Sequence, residues 1–522
     1  MASSRRTGLV ALPHPEPLDA ARAAWDAGEF ELLLRGLGGV RFERREDRAA
    51  SLVLRARALL AVGRPGEVPA LLDAAGDDLK TSDETIVSQM LLGAALVRTE
   101  RDDEGERLLE TVSGAAVRRA PSRVPEIAYY RALRRWGTYR VMEAEEIVEA
   151  ALPAATGVVR SRLLQLLGWI DVRREAYASA AHDFTAALDE LDKTRETDAK
   201  GRAAILHALA FIAAELVDIR LGRVVRREYE TNRWTDDTRI ERFQVLEHLS
   251  WLSLLAGDVE RAWDERQLAL TLTVDTSYHA IALIHAAKIA GMVGDRFSES
   301  RYITLAGALL LRGDQVALDV ERRTALLGFA TAAGATHVET AQRVMTFYDR
   351  SKPRRTAMLA FEGDRRVEAL ELYARGRVAL LSGDPKGGTA ALQQSLDLWT
   401  RLNYRLRVAL TANELRLATG DARYAQIALD ALRDAPQAWL RPALEQRSDD
   451  DLPLAKLTPA ERRVLTALCE GKKAREIAAE FGRSFNTINN HTRAIFTAFG
   501  VRNRAGLVAQ CARLGLLDGS GP

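Results

Sequence analysis

The chain has 522 residues, and its 74 Lys+Arg against 72 Asp+Glu give a formal net charge of +2. With 47% apolar and 28% charged residues it has the composition of a soluble globular protein, which excludes a wholly disordered or fibrous chain. The longest apolar candidate, 203–217, is interrupted by His207 and Glu215, so it falls short of the roughly 18 unbroken apolar residues of a membrane helix. We therefore expect no membrane partner.

The cysteines and the N-terminus predict the compartment. Only Cys469 and Cys511 occur, which argues against a disulfide framework and for a reducing environment. Arg5 and Arg6 precede an apolar stretch that ends at Pro13, shorter than the roughly 7–15 residues of an export signal. We expect a cytoplasmic protein whose residues 1–17 are a disordered N-terminus.

The charge is distributed unevenly along the chain. Residues 451–522 contain eleven Lys+Arg and six Asp+Glu, whereas the rest of the chain is slightly acidic. A basic end on an acidic body indicates a polyanionic partner for that end alone.

Residues 18–437 have helical apolar spacing almost throughout. Ala, Leu, Glu and Arg dominate, and all four favour helices. No long stretch alternates with a period of two, so a large sheet is not expected. The sequence therefore predicts an all-α fold.

One pattern recurs along this region. A turn is followed by a small residue, a large apolar residue four positions on, and then Ala-Leu or a similar pair. The copies are Ala180, Phe184 and Ala187-Leu188; Ala144, Val148 and Ala151-Leu152; and Ala262, Arg266 and Ala269-Leu270. The first five turns are 35 to 39 residues apart, and four later turns read Gly-Asp.

This repeat resembles the tetratricopeptide (TPR) repeat, whose period is about 34 residues. The resemblance covers 18–195, 245–310 and 365–437, whereas 196–244 and 311–364 are helical but out of register, as divergent repeats or as insertions. It implies a TPR-like solenoid whose groove binds a ligand or a protein. The alternative is a helical bundle without repeats.

Motifs for catalysis are missing from the sequence. Residues 383–389 superficially look like a phosphate-binding loop, but the lysine is misplaced and no strand precedes it, so we interpret them as a turn. His279 and His285 are six residues apart and do not share a helix face. We expect no catalytic residues, no metal site and no cofactor, and hence not an enzyme. The arginines of 220–227 form either a solvated face or a partner site.

A polar, proline-interrupted stretch, 438–455, is predicted to be a linker, and four short helices follow in 456–517 before a tail at 518–522. Thr458, Pro459 and Glu461 have the spacing of a capping box with proline at the first helical position. Gly482 separates a short second helix from a longer third one that Ser484 can cap, and Asn503 can cap a fourth. This is the helix-turn-helix arrangement.

The third helix has two distinct faces. Ile488, His491, Ile495 and Phe499 form a stripe that we expect to face the other helices. The opposite face includes Asn489, Asn490 and Arg493, which are residue types that contact adenine and guanine in the major groove.

The C-terminal region resembles the LuxR-type helix-turn-helix over about 457–517. The resemblance rests on residues 457–465, Gly471, 475–478, Thr487-Ile488, His491, Ile495, 499–501 and Arg504. It implies a regulator that binds double-stranded DNA as a homodimer, with the fourth helix commonly at the dimer contact. The base-contacting positions of the family fall on Asn489, Asn490 and Arg493. For phosphate contacts near turns and helix starts we expect Lys473, Ser484, Thr487, Arg502 and Arg504.

The sequence thus predicts a DNA-binding transcriptional regulator whose TPR-like body senses a ligand or a protein and controls the C-terminal domain. The alternative is a TPR scaffold whose terminal helices bind protein rather than DNA. Salt-dependent binding to duplex DNA separates the two hypotheses.

Overall fold

The structure is a computed structural model. It describes residues 16–79, 81–99, 101–138, 140–194, 198–273, 276–292, 294–312, 317–318, 320–353, 365–445 and 457–513. The predicted tail, and all but two residues of the predicted disordered N-terminus, lie outside these ranges. The predicted linker is divided, because 446–456 also lie outside them whereas 438–445 are described. The domain limits therefore stay predictions.

The described residues before the gap at 446 form 23 α-helices. They are α1 (Pro17–Asp26), α2 (Phe30–Leu37), α3 (Arg45–Ala61), α4 (Val68–Asp73), α5 (Ser82–Leu96), α6 (Asp102–Arg119), α7 (Val124–Gly137), α8 (Val141–Ala151), α9 (Gly157–Arg173), α10 (Tyr177–Lys193), α11 (Ala199–Glu215), α12 (Ile219–Thr231), α13 (Arg239–Leu255), α14 (Val259–Leu272), α15 (Thr276–Met292), α16 (Arg296–Leu310), α17 (Val320–Ala332), α18 (Val338–Arg350), α19 (Arg365–Leu381), α20 (Pro385–Arg401), α21 (Arg405–Thr419), α22 (Arg423–Ala431) and α23 (Arg441–Leu444).

These helices, which we call the body, pair with their neighbours in sequence. The closest helix packing joins α5 with α6, α7 with α8, α9 with α10, α13 with α14, α15 with α16 and α19 with α20. The first helices of successive pairs also pack together, as α11 does with α13 and α15 does with α17. The body is therefore a TPR-like stack of helix pairs, which confirms the predicted all-α fold.

The two stretches that are out of register in sequence continue this stack. Residues 196–244 contain the pair α11 and α12, and 311–364 contain the pair α17 and α18, which packs between α15 and α19. Two-residue strands, Ala317–Leu318 and Lys352–Pro353, pair in parallel within the second stretch. Both stretches are thus divergent repeats.

The repeated small and large positions are the packing sites of the stack. Ala180, Phe184 and Ala187 are fully buried, as are their counterparts Ala144 and Val148. Gly168 on α9 lies opposite the ring of Phe184, where a Cβ would come within 2.9 Å of a ring carbon. The large side chain of one helix therefore fills the space that a small residue leaves on its partner.

The Gly-Asp turns end one helix and begin the next. Gly257, Gly294, Gly383 and Gly420 have φ between +70° and +84°, a conformation that other residues rarely adopt. The following aspartates accept hydrogen bonds from the backbone N–H groups of the next helix, as in the 3.0 Å bond from the Arg261 N–H to Asp258. The positive φ of the glycine, which ends one helix, and the cap made by the aspartate, which begins the next, thus determine where these turns lie.

Helices of the body that are far apart in sequence also contact each other. Arg407 on α21 forms an ion pair with Glu215 on α11 at 2.6 Å, across 192 residues of sequence. Near the other end, Arg233 pairs with Glu29 at 2.8 Å, and the Thr235 hydroxyl donates to the Gly28 carbonyl at 3.2 Å. The largest core cluster accordingly combines residues of α9–α15 with residues of α19–α23.

The described part of the C-terminal region forms four more helices: α24 (Pro459–Cys469), α25 (Ala474–Glu480), α26 (Phe485–Phe499) and α27 (Arg504–Arg513). We call residues 457–513 the C-terminal domain. In the described part of the chain, no helix combines the length and the apolarity needed to cross a membrane.

Candidate DNA-binding site

Local hydrogen bonds begin the helices of the C-terminal domain where the sequence predicts them. The Glu461 N–H donates to the Thr458 hydroxyl at 3.3 Å and the Thr458 N–H donates to the Glu461 carboxylate at 2.9 Å, which completes the capping box. The Thr458 N–H and the Thr458 hydroxyl both donate to the Glu461 carboxylate, and these two bonds lower its pKa. Ser484 accepts from the Thr487 N–H at 3.1 Å, and Asn503 accepts from the Gly506 N–H at 2.8 Å. The predicted caps of α24, α26 and α27 are confirmed.

The core of the domain uses the predicted stripe of α26. Ile488, Ile495 and Phe499 are each less than 5% exposed and pack with Val464, Leu465 and Leu468 of α24. His491 is on the same side but only partly buried, with its Nδ1 at 3.8 Å from the Glu461 carboxylate. The stripe fixes how α26 is rotated in the domain, and therefore which of its residues face outward.

The predicted base-contacting residues lie together on the outer face of α26. Asn490 and Arg493 are exposed, and Asn489 is partly exposed. The Arg493 guanidinium makes no ion pair or hydrogen bond with any described residue. It is therefore free to donate two hydrogen bonds to an external acceptor, and its base contact stays a prediction.

The predicted phosphate contacts surround this face. Lys473 at the start of α25, Ser484 at the start of α26, and Arg502 before α27 are exposed, and Thr487 is partly exposed. The Ser484 and Thr487 hydroxyls are also 2.9 Å from each other. Backbone N–H groups and hydroxyls at a helix start suit an anionic oxygen, so these assignments stay predictions that the geometry allows.

Arg504 is engaged differently. Its guanidinium donates to the Lys472 carbonyl at 3.1 Å and to the Leu468 carbonyl. The Leu468 carbonyl is in the last turn of α24, where cationic groups are favoured, and the Lys472 carbonyl is in the turn that follows. Arg504 thus ties α27 to α24, and its predicted phosphate contact would compete with these bonds.

Two further cations near α26 are absent from the sequence prediction. Arg483 is exposed in the turn between α25 and α26. Arg475 is exposed on α25, with its guanidinium 5.8 Å from the ring centre of Phe485. Their positions near the start of α26 could have identified them as candidate phosphate contacts from the sequence, because phosphate contacts concentrate at such turns.

Helix α27 is apolar on two faces. Leu507 and Cys511 are fully buried in the core of the C-terminal domain. Val508 and Ala509 are each 6% exposed, and Ala509 belongs to the largest core cluster of the body. A helix that is apolar on both sides is buried on both sides. The sequence of α27 therefore already indicated that its second face packs against another part of the protein.

The second face of α27 packs on α14, α15 and α23 of the body. A Cβ on Gly506 would come within 2.8 Å of the Glu260 carboxylate, so the backbone of α27 lies very close to α14. Beside this contact is a cavity of about 620 Å³ between the two parts, bordered by Trp263 and Phe297 of the body and by Cys469 and Val508 of the domain. The C-terminal domain is thus seated on the body by its fourth helix.

The two cysteines are neighbours between α24 and α27. Both are free thiols. A hydrogen bond with Cys511 lowers the pKa of the Cys469 thiol, whereas the same bond, with burial, raises the pKa of Cys511. They pack in the core of the domain as small apolar residues.

The body buries several charged groups. Arg266 occupies the large position of its repeat and is fully buried, with its guanidinium 3.2 Å from the Glu247 carboxylate. Burial alone would raise the pKa of Glu247, but His285 and Arg266 lower it to about 2. His207 stacks on His248 with ring centres 5.4 Å apart, and burial lowers the pKa of His207 to about 4.

These clusters do not resemble a metal site. Within the described ranges, no group of three or more His, Cys, Asp or Glu side chains could hold a metal ion.

Of the arginines in 220–227, Arg226 bonds Glu265 and the Ser253 hydroxyl, whereas Arg220, Arg223 and Arg227 are exposed.

Comparison with known proteins gives one family. Residues 455–510 match the family described as bacterial regulatory proteins, luxR family. No curated protein sequence matches the chain. The fold is similar to that of a Rap protein complexed with Competence and Sporulation Factor, at 13% identity and a TM-score of 0.43, over 75% of this chain and 99% of that one.

A second similar structure is the APC/C hetero-tetramer Cut9-Hcn1, at 13% identity and a TM-score of 0.25, over 96% of this chain and 97% of that one. Both scores are below 0.5, so the architecture of the body rests on its own helix contacts. Together, the family match and the four helices of the C-terminal region identify that region as a helix-turn-helix domain of the LuxR family, carried by a TPR-like helical body.

Proposed function

We propose that this protein is a transcriptional regulator that binds duplex DNA through α26, and that its body controls the C-terminal domain through α27. The observation that carries the proposal is the seating of α27 on α14, α15 and α23. The LuxR-family match supports the DNA-binding part.

The contact between the C-terminal domain and the body leaves the outer face of α26 exposed to solvent. Asn490 and Arg493 are exposed in the presence of the whole body. Control by covering the base-contacting residues therefore does not fit the geometry. The surface that the body covers is Gly506, Val508 and Ala509 on α27.

The covered surface suggests control of dimerisation. Family resemblance places the dimer contact commonly on the fourth helix, and here one face of that helix is already occupied. A helix face cannot pack on the body and on a second copy at the same time. An effector or protein that binds the body and releases α27 would then favour the dimer on DNA, at a coupling of typically 1–3 kcal/mol.

The test breaks the contact without damaging either part. Gly506→Glu replaces a helix-weakening residue by one that suits the first turn of a helix, and places its carboxylate beside that of Glu260. Genome-wide mapping of bound DNA supplies the binding sequence. Affinity for that duplex is then measured by fluorescence anisotropy, with the oligomeric state measured by light scattering.

We expect Gly506→Glu to dimerise at lower concentration and to bind DNA about tenfold more tightly, a change of about 1.4 kcal/mol. The charge-reversed pair, Gly506→Glu with Glu260→Lys, should return toward the wild type. Equal affinity of the wild type and Gly506→Glu would show that the body does not restrain α27. Absence of salt-dependent duplex binding by every variant would favour the scaffold alternative.

A further inference from the structure

A second cavity lies within the body, away from the DNA-binding domain. It has a volume of about 320 Å³ and lies among α13, α15–α17 and α19–α21, with the segment Trp439-Leu440 on one side. Its wall includes Trp251, Trp399 and Trp439, each no more than 5% exposed. The size is at the lower end of ligand sites, which are mostly apolar with a few polar groups.

Lys288 of α15 is the exceptional residue in this wall. Its ammonium makes no ion pair and no hydrogen bond with any residue that the structure describes. Burial, and then the nearby Arg407 and Arg377, lower the pKa of Lys288 to about 7. Lys288 is partly buried and lines the cavity. A partly desolvated cation without a partner is costly, and such residues concentrate at functional sites.

The other cations of the wall already have carboxylate partners. Arg377 pairs with Glu414 at 2.5 Å, and Arg407 pairs with Glu215 at 2.6 Å. Nevertheless the Nε of Arg377 is buried and has no hydrogen-bond acceptor. That atom has almost no accessible surface, so the missing partner that a ligand in the cavity can supply is an anion for Lys288.

We propose that this cavity binds a small organic carboxylate, with its apolar part among the tryptophans and its carboxylate facing Lys288. A carboxylate supplies the missing negative charge and hydrogen-bond acceptors, and an aromatic or branched apolar group fits the rest of the wall. The small volume excludes long lipids and whole folded partners.

The cavity adjoins the segment that leads to the DNA-binding domain. Trp439 donates its backbone N–H to the Leu254 carbonyl at 3.1 Å, and its ring centre is 6.0 Å from that of Trp251. The next residues form α23, which packs on α27. A ligand against Trp439 thus contacts the support of α27, and this second step rests on the function proposed above.

Binding is tested on the full-length protein by isothermal titration. The probes are acetate, 3-methylbutanoate, phenylacetate and indole-3-acetate, with phenylacetamide as the neutral match and phenyl phosphate as the other anion. We expect an apolar carboxylate to bind at least tenfold more tightly than acetate or phenylacetamide. Tighter binding of phenyl phosphate would overturn the carboxylate assignment.

The residue test uses Lys288→Met, with the exposed Lys386→Met as control. Lys288→Met should lose at least tenfold in affinity and should unfold at the same or a higher temperature, because it removes an unpaired, partly desolvated charge. A second variant, Ala332→Leu, fills the cavity while keeping the charge and should also block binding. Binding that survives in both variants, or no carboxylate binding in the wild type, would overturn the proposal.

The affinity should also depend on pH. With a pKa of about 7 in the free protein, the charged fraction of Lys288 falls about tenfold between pH 6 and pH 8, and carboxylate affinity should fall with it. The charged and titratable groups around Lys288 are Glu247, Arg266, His285, Arg296, Glu299, Tyr373, Arg377, Arg407 and Glu414. His285 is the one histidine among them, and burial lowers its pKa. Lys288→Met should show a flat profile, and a wild-type profile equally flat would contradict the role of the ammonium.

The carboxylate site and the proposed regulatory function can each be disproved without the other. Titration detects the carboxylate whether or not the protein binds DNA. If the carboxylate binds through Lys288 and DNA affinity changes at least fivefold on its addition, the cavity is the effector site of the regulator. If it binds without changing DNA affinity, the binding site stands and its coupling to α27 is overturned.

Discussion

The body and the C-terminal domain use arginine in opposite ways. In the body, Arg162, Arg266 and Arg407 are paired with Asp198, Glu247 and Glu215 at 2.6–3.2 Å between helices. In the domain, Arg483, Arg493 and Arg502 are exposed and bond no described side chain. The three paired arginines thus hold helices of the body together, whereas the three exposed arginines of the domain stay available for a polyanion.

The difference lies in the neighbouring residues. The body offers a carboxylate to the guanidinium groups of Arg162, Arg266 and Arg407, because an unpaired buried charge would destabilise the stack. The outer face of α26 offers amides and hydroxyls, which leave a cation free for an external anion. Four mutational tests, in order of decreasing effect, examine this contrast.

The largest effect is expected for Glu247→Ala. It leaves the fully buried Arg266 without its carboxylate, a change that costs about 3–5 kcal/mol of unfolding free energy. Urea denaturation followed by tryptophan fluorescence measures it. Glu247→Ala with Arg266→Met removes both charges and should recover most of the loss; a double variant as unstable as the single one would contradict a role based on pairing.

The same carboxylate gives a pH dependence. The pKa of Glu247 is lowered to about 2, below its ordinary 4.5, so its stabilising effect is complete above about pH 4.5 and is lost as the pH falls toward 2. Glu247→Ala should flatten that part of the stability profile. Denaturation midpoints at pH 2.5, 3.5, 4.5 and 6 measure this difference.

The second effect concerns base reading. Arg493→Ala should lose about 1–3 kcal/mol of discrimination between the mapped sequence and a scrambled duplex, because a bidentate guanine contact disappears. Competition anisotropy gives the ratio of the two affinities, and circular dichroism confirms that the domain stays folded. Unchanged discrimination would remove Arg493 from the base-contacting set.

The third test separates phosphate anchors from structural cations. Lys473→Ala and Arg502→Ala should weaken binding to all duplexes alike and lower the slope of log affinity against log salt by roughly 0.9 each. Arg504→Ala should instead destabilise the domain by about 1–3 kcal/mol, because the Leu468 carbonyl of α24 and the Lys472 carbonyl after it lose their donor. A stable Arg504→Ala variant with a reduced slope would reverse that assignment.

The smallest effect is expected in the body, at an exposed arginine. Arg223→Ala should change stability by less than about 0.5 kcal/mol and should leave the salt slope unchanged. It also serves as the matched control for Arg493→Ala. A weaker DNA affinity in this variant would show that the arginine face of α12 contacts a phosphate, which is the partner-site hypothesis for 220–227.

Local rules in the sequence determined the elements of both regions. Gly257-Asp258 and the other three Gly-Asp turns end one helix and begin the next within a few residues. The capping box at Thr458 needs only Glu461. The period of 3.6 placed Ile488 and Phe499 inward and hence Arg493 outward. These features depend on residues within one or two turns of each other, so the sequence could predict them.

The divergent repeats and the seating of α27 were harder to predict. Residues 196–244 lost the spacing of the repeat, yet α11 and α12 still pack as a pair because the neighbouring pairs supply apolar faces. The two apolar faces of α27 were visible in the sequence, but the surface that receives the second face was not.

Only the tertiary structure decided how the stack closes. The pairing of Arg407 with Glu215, the cavity around Lys288 and the approach of Gly506 to Glu260 join residues that are about 120 to 250 positions apart. Each repeat adds a small rotation, and the sum of many rotations determines which distant residues meet. Sequence therefore determined the helices, their caps and the reading face, whereas the accumulated geometry of the stack created the cavity and the surface on which the DNA-binding domain rests.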